Sequence, residues 1–245
     1  MIDFMESVET DFTSEFGLYT RDMYKIYYSH IHIFPLLILG QNPGGTIGKQ
    51  YLSASTSYFE NWEHDFVEFQ NNNKYALAKP MCDLLHSVLQ TNSDNIIRQI
   101  PFTNIIFRRS QNTEQLNTSL SKAVLETQPY LTKIIKYINP NNILFISKTA
   151  YDLFVKYYCK KGTICESQNK YVLTPNGRDN ARIYSQGIGF VNCLDRNIRF
   201  YMVGHPSKYS SRKEWTLVTK YLLEEFITNN LSPMEKKEYL YTDIV

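Results

Sequence analysis

The chain has few of the residues that build metal cages. Four cysteines occur in 245 residues, at 82, 159, 165 and 193, and their spacing gives neither a CxxC pair nor a zinc-finger pattern. Five histidines (30, 32, 64, 86 and 205) have few acidic neighbours in the sequence, so neither a metal nor another cofactor is expected. No apolar run reaches the ~20 residues of a membrane helix. No hydrophobic h-region follows Met1, because the first thirty residues carry acids and tyrosines throughout. The expectation is a cytoplasmic monomer with reduced cysteines and no membrane partner. Charge of one sign is also lacking: 26 basic residues against 24 acidic ones leave +2. A nucleic-acid surface, if present, must come from local clustering. No Pro-, Gly- or Ser-rich linker divides the chain, so one domain over 1–245 is expected, with a helical extension at about 1–30 and a surface tail at 232–245. Rings are abundant: 19 Tyr and 14 Phe. Core packing is the simplest use for them, and stacking surfaces for bases are the functional alternative.

Short continuous apolar runs mark strands buried on both faces, as in a parallel sheet. They occur at Phe34–Leu39, Ile105–Phe107, Ile143–Ile146 and Phe200–Val203. Helical periodicity appears between them, at 57–70 through Phe59, Trp62, Phe66 and Phe69, and at 77–90 with Pro80 in its first turn. It recurs at 118–138, as one helix or as two with a bend at Pro129, at 149–159, and at about 212–229 behind a Ser210 or Ser211 cap. Residues 160–198 are the least legible, with Tyr171-Val172-Leu173 as an extra edge-strand candidate. The alternation predicts an α/β fold: a three-layer αβα sandwich around a mostly parallel, about four-stranded sheet.

Two loops leave strand candidates at their carboxyl ends, where open α/β sheets bind ligands. The first is Gly40-Gln41-Asn42-Pro43-Gly44-Gly45. Its glycines let backbone approach a ligand, and the amides of Gln41 and Asn42 can bind a base edge or orient water. It lacks the GK[ST] ending of a phosphate-binding P-loop and is not GxGxxG. A plain strand exit explains the residues equally well. The second is Gly204-His205-Pro206-Ser207-Lys208-Tyr209-Ser210. A neutral imidazole there can polarise a carbonyl or stabilise developing negative charge, and the serines can meet phosphate.

Together, GQNPGG at 40–45 and HPSKYS at 205–210 resemble the motifs of the uracil-DNA glycosylase superfamily, in an Asn-containing branch. The segment Thr103-Asn104-Ile105 is similar to a middle family segment that contributes to the base pocket. The resemblance spans about 30–230 and implies hydrolysis of the N-glycosidic bond of a damaged or modified base flipped from DNA. It assigns Asn42 to positioning the attacking water and His205 to hydrogen-bonding the leaving carbonyl. Gly40, Gln41, Pro43, Gly44, Phe102 and Asn104 would line the base site. Ser207, Lys208, Tyr209 and Ser210 would hold DNA, with Lys208 and Tyr209 at a minor-groove wedge. The implied partner is DNA bearing the modified base, in repair or in defence against phage.

This sequence departs from the uracil-specific branch at Asn42, where that branch has Asp, and at Gly44, where it has a bulky Tyr. Gly44 leaves more room at the pyrimidine C5 edge, which predicts tolerance of 5-substituted pyrimidines. Arg108 and Arg109 are candidates for phosphate contacts or for plain solvation, and Asp195 is a lower-ranked acid/base alternative. Three alternatives stay open: a modified-DNA or nucleotide-binding protein of the same fold without cleavage, a nucleoside hydrolase, and a structural adaptor.

Overall fold

The computed structural model describes residues 1–16, 24–44, 63–71, 76–89, 94–110, 116, 118–173 and 180–206. Expected features at Phe59, Trp62, 207–210, 212–229 and 232–245 lie outside them. Six strands make one sheet: β1 (Leu36–Gly40), β2 (Phe102–Asn104), β3 (Asn142–Phe145), β4 (Cys165–Leu173), β5 (Asn180–Val191) and β6 (Arg196–Val203). Their order is β2-β1-β3-β6-β5-β4. The pairs β1–β2, β1–β3 and β3–β6 are parallel, and β5 joins β6 and β4 antiparallel. Six helices accompany them among the described residues: α1 (Ile2–Phe16), α2 (Asp65–Phe69), α3 (Ala78–Leu89), α4 (Asn95–Gln99), α5 (Leu120–Ile138) and α6 (Lys148–Tyr158).

The period of two in each strand sorts the sheet into two faces. Leu37, Leu39, Ile143, Phe145, Phe200 and Met202 pack against α1, α5 and α6. Leu36, Ile38, Phe102, Leu144, Tyr201 and Val203 pack against α2, α3 and α4. The fold is therefore a three-layer α/β sandwich, with four parallel strands as expected and an antiparallel hairpin added at one edge. Met5, Val8 and Phe12 of helix α1 are buried in the core of that first face.

One sequence expectation shifts. The second strand is Phe102–Asn104, three residues before the apolar run at Ile105–Phe107. That run is buried all the same. Ile105 and Ile106 donate their amides to the carbonyls of Gly40 and Gln41, and the Phe107 carbonyl accepts from the Lys25 amide. The same two neighbours, β1 with its exit and the segment 24–28, flank the chain before and after Asn104, so burial continues where the regular strand stops. Helix α5 runs as one element through Pro129, opened by Ser119, whose side chain accepts from the Lys122 amide, and closed by Asn139 in the left-handed region at φ 51°. The aromatic surplus serves the core among the described residues: Phe12, Phe66, Phe102, Phe107, Phe145, Phe154 and Phe200 are all fully buried.

Candidate active site

The connection from β1 to β2 runs through α2, α3 and α4 on one face, and that from β2 to β3 through α5 on the other. Strands β2 and β3 flank β1 on opposite sides. The chain therefore reverses direction across the sheet between β1 and β3, and at such a switch point the carboxyl ends part to form a crevice. Gln41 leaves β1 and Ser147 leaves β3 at this point. The Ile146 amide still donates to the Leu39 carbonyl at 3.1 Å, and Ser147 Oγ lies 3.5 Å from Gln41 Oε1. Ser147 occupies the N-cap of α6 without using its side chain as a cap.

The first loop is fastened to the chain leaving β2. Beyond the Ile105 and Ile106 bonds, the Ser110 amide donates to the Pro43 carbonyl at 3.0 Å. Arg109 Nη1 lies 3.4 Å from the Gly44 carbonyl. The Asn42 side chain completes this clamp. Its amide nitrogen is 3.0 Å from Ser110 Oγ, 3.0 Å from the Pro43 carbonyl and 3.4 Å from the Ser110 carbonyl. Carbonyl oxygens only accept, so the NH2 group must face them and the orientation of the amide is forced. The half-buried Asn42 is thus held by its nitrogen, and Oδ1 is the acceptor end.

Gly40 and Asn104 stand opposite each other in the β1–β2 register. A Cβ at Gly40 would overlap Asn104 Oδ1 and come within 3.2 Å of its Cγ and 3.5 Å of Phe102 Cε2. Glycine is needed here because the Asn104 amide lies across the end of β1. Phe102 is only 1% exposed and packs on Tyr28 at 4.7 Å and Phe66 at 4.7 Å. It supports the strand end from beneath and presents no free face for stacking. Pro43 is buried, and Gly44 is exposed, with none of the described atoms within 4 Å of an added Cβ.

The second loop leaves β6 after Val203, with Gly204 buried and His205 half-buried. Leu39, Phe145 and Met202 share one level across β1, β3 and β6. By that register Asn42 and His205 both lie three residues beyond it. The strands they leave, β1 and β6, are two inter-strand spacings apart, about 10 Å. The structure thus brings Gly40, Gln41, Asn42, Asn104 and His205 to one edge of the sheet. The candidate DNA contacts Ser207, Lys208, Tyr209 and Ser210 fall outside the described residues.

Other candidates are placed elsewhere. Asp195 sits in the β5–β6 turn at φ 52°, just before Arg196 opens β6, so it occupies the opposite edge of the sheet and cannot serve this site. Arg108 turns inward to Tyr24 Oη at 2.8 Å and Glu126 Oε2 at 3.1 Å, and Arg109 is buried against the loop; neither is a solvated phosphate ligand. Sequence patterns do not reveal Ser110 or Ser147. Ser110 reaches Asn42 across 68 positions, and no local pattern marks such a pairing.

Behind the loop lies a charged pair, half-buried Lys25 with buried Asp65. Burial pushes the Asp65 carboxyl up to about 6, against the opposing pull of Lys25, and burial lowers the Lys25 amine. Next to them His64 caps α2: Nδ1 accepts from the Phe66 amide at 3.1 Å, and Nε2 lies 3.1 Å from the Ile100 carbonyl. That carbonyl can only accept, so Nε2 carries the proton and the ring is neutral. Burial pushes its pKa down to about 3. Among the described residues no group of three or more His, Cys, Asp or Glu side chains could hold a metal, and no helix is long and apolar enough to cross a membrane.

No protein-family model matches this chain, and no curated protein matches it either.

Proposed function

We infer that the protein is a DNA base glycosylase that hydrolyses the N-glycosidic bond of a damaged or modified pyrimidine, with a preference for 5-substituted bases. The observation that carries this reading is the clamped Asn42. Its nitrogen is committed to Ser110 and Pro43, so an acceptor oxygen is fixed at the carboxyl edge of the sheet. His205 leaves the same edge from β6, two strands away. An amide at neutral pH takes no proton, but it can orient a water by accepting its hydrogen. The water oxygen bonds to the sugar C1′ while the C1′–N electron pair leaves with the base. The proton released by the water passes through solvent to the departing base. His205 and Asn104 supply hydrogen bonds to the base edge, where negative charge gathers as the bond opens. The chain bears Gly44 at the position corresponding to the bulky tyrosine of the uracil-specific relatives, and a side chain there would meet none of the described atoms.

The test is incubation with duplex and single-stranded DNA carrying uracil, thymine, 5-hydroxymethyluracil or glycosylated hydroxymethylcytosine. Abasic sites are read by alkaline strand cleavage and the released base by mass spectrometry. Asn42→Ala and His205→Ala should each lower excision by about 10²-fold or more while affecting binding less. Gly44→Tyr should lower excision of 5-substituted bases about tenfold relative to uracil. Absence of abasic sites with every substrate would sink the reading.

A further inference from the structure

The hairpin formed by β4 and β5 has more length than the sheet needs. Tyr184 of β5 stands opposite Val203, the last residue of β6. The two hairpin strands go on pairing with each other past that level: Lys170 with Tyr184, Tyr171 with Arg182, Val172 with Ala181 and Leu173 with Asn180. Strand β6 is parallel to β3, and β3 and β2 are parallel to β1, so everything past Val203 lies beyond the carboxyl edge that holds the candidate site. From Tyr184 to Asn180 the ribbon rises about 14 Å at ~3.4 Å per residue. It stands on the β6 flank, beside the chain that carries Gly204 and His205 off the sheet.

Its composition matches this position. Over residues 170–173 and 180–184 the sequence carries Lys170 and Arg182 and no acidic residue. These two stretches hold a net charge of +2, as much as the whole chain of 245 residues. These two cations are carried on strands that rise past the edge where a polyanionic substrate would lie. A two-stranded ribbon is also an element that a DNA major groove, about 12 Å wide, admits.

We propose that the ribbon of residues 170–173 and 180–184 is a DNA-binding arm that engages the phosphate backbone of the duplex flanking the site, with Lys170 and Arg182 as its charged contacts. The identity of the polyanion rests on the glycosylase reading.

The experiment measures binding of the full chain to an unmodified duplex by fluorescence anisotropy across a salt series. K170E/R182E should reduce the slope of log affinity against log salt by about 2, near 0.9 for each phosphate that the arm no longer neutralises. A second variant, with residues 170–184 replaced by Asn-Gly between the paired Asn169 and Ser185, removes both cations, should show a similarly reduced slope and covers the case in which the charge reversals disturb strand pairing. Lys160 and Lys161 are exposed at the other end of the sheet, where the Lys160 amide meets the Phe190 carbonyl. K160E/K161E makes the same change in net charge and should keep the wild-type slope. Wild-type slopes in both ribbon variants would overturn the arm and leave the glycosylase reading standing. An equal reduction in K160E/K161E would also overturn it. A wild-type chain that binds no DNA overturns both ideas. Ribbon-dependent binding without base release from any modified duplex keeps the arm and removes the glycosylase.

Discussion

The four parallel strands and the antiparallel hairpin share one sheet but are held in it differently. In the parallel part, side chains from both faces enter a core: Phe145 packs on Phe154 at 5.2 Å, on Tyr151 at 5.5 Å and on Phe200 at 5.8 Å. In the hairpin, the inward positions of β5 are small. Ser185, Gly187, Gly189 and Val191 are buried, while Ile188 between them is exposed. The parallel strands are joined by large apolar volume and β5 by close backbone approach. The comparison predicts unequal costs. Phe145→Ala should destabilise the whole fold by about 3–5 kcal/mol in denaturant unfolding. A loss below about 1 kcal/mol would mean that the parallel part does not depend on its aromatic cluster.

The hairpin should fail by crowding instead. A Cβ at Gly189 would overlap Ile164 Cδ1 and lie 2.7 Å from Phe200 Cε2. Gly189→Ala should therefore cost about 1–3 kcal/mol through overpacking. Hydrogen exchange should localise the loosening to β4 and β5. Uniform loss of protection across β1, β3 and β6 would erase the distinction between the two parts.

The same contrast explains what could be read in the sequence. Leu36–Leu39 and Ile143–Phe145 are continuous apolar runs because helices cover both faces of these strands, so their burial is visible residue by residue. Strand β5 reverses the usual pattern, with Ser and Gly inside and Ile outside, because its inner face lies too close to Ile164 and Phe200 to hold large side chains. No rule that seeks alternating hydrophobicity finds it. At the site, the two loops are legible because each follows an apolar strand, and both do reach one edge. The clamp on Asn42 is not, since Ser110 lies in a polar stretch whose partner is fixed only when β2 pairs with β1. Phe102 reads as a ligand contact, and it does share a face of β2 with Asn104, but it lies two residues deeper, in the core facing α2 and α3.

Acid should test the α2 side of the parallel part next. His64 has its pKa pushed from 6.5 down to about 3. Below pH 6.5 the unfolded chain binds a proton that the folded chain refuses, so this contribution falls with pH at about 1.4 kcal/mol per unit. Asp65 has the opposite sign: raised from 3.8 to about 6, it favours the folded state at low pH and loses that advantage as pH rises through about 6. The two oppose each other between about pH 4 and 6. Asparagine can keep the cap on α2 without a titrating ring. His64→Asn should therefore shrink the drop in melting temperature between about pH 7 and pH 4.5, measured by circular dichroism. An unchanged drop would show that His64 does not set the acid limit.

The smallest expected effect is at the clamp, and it separates holding from chemistry. Ser110→Ala removes the hydroxyl acceptor 3.0 Å from the Asn42 amide nitrogen but leaves the Pro43 carbonyl at 3.0 Å and the Ser110 carbonyl at 3.4 Å. One of several acceptors goes, so the side chain should loosen rather than detach, at a cost of about 1 kcal/mol. If Asn42 Oδ1 orients the attacking water, that loosening should appear as about a tenfold fall in kcat with KM little changed, because the base is gripped from β2 and β6 instead. Ser110→Thr restores the hydroxyl and should recover most of the rate. A fall in stability without a fall in kcat would make Ser110 a loop fastener alone, and the first loop would then be rigid for the fold's sake, as the hairpin's glycines are.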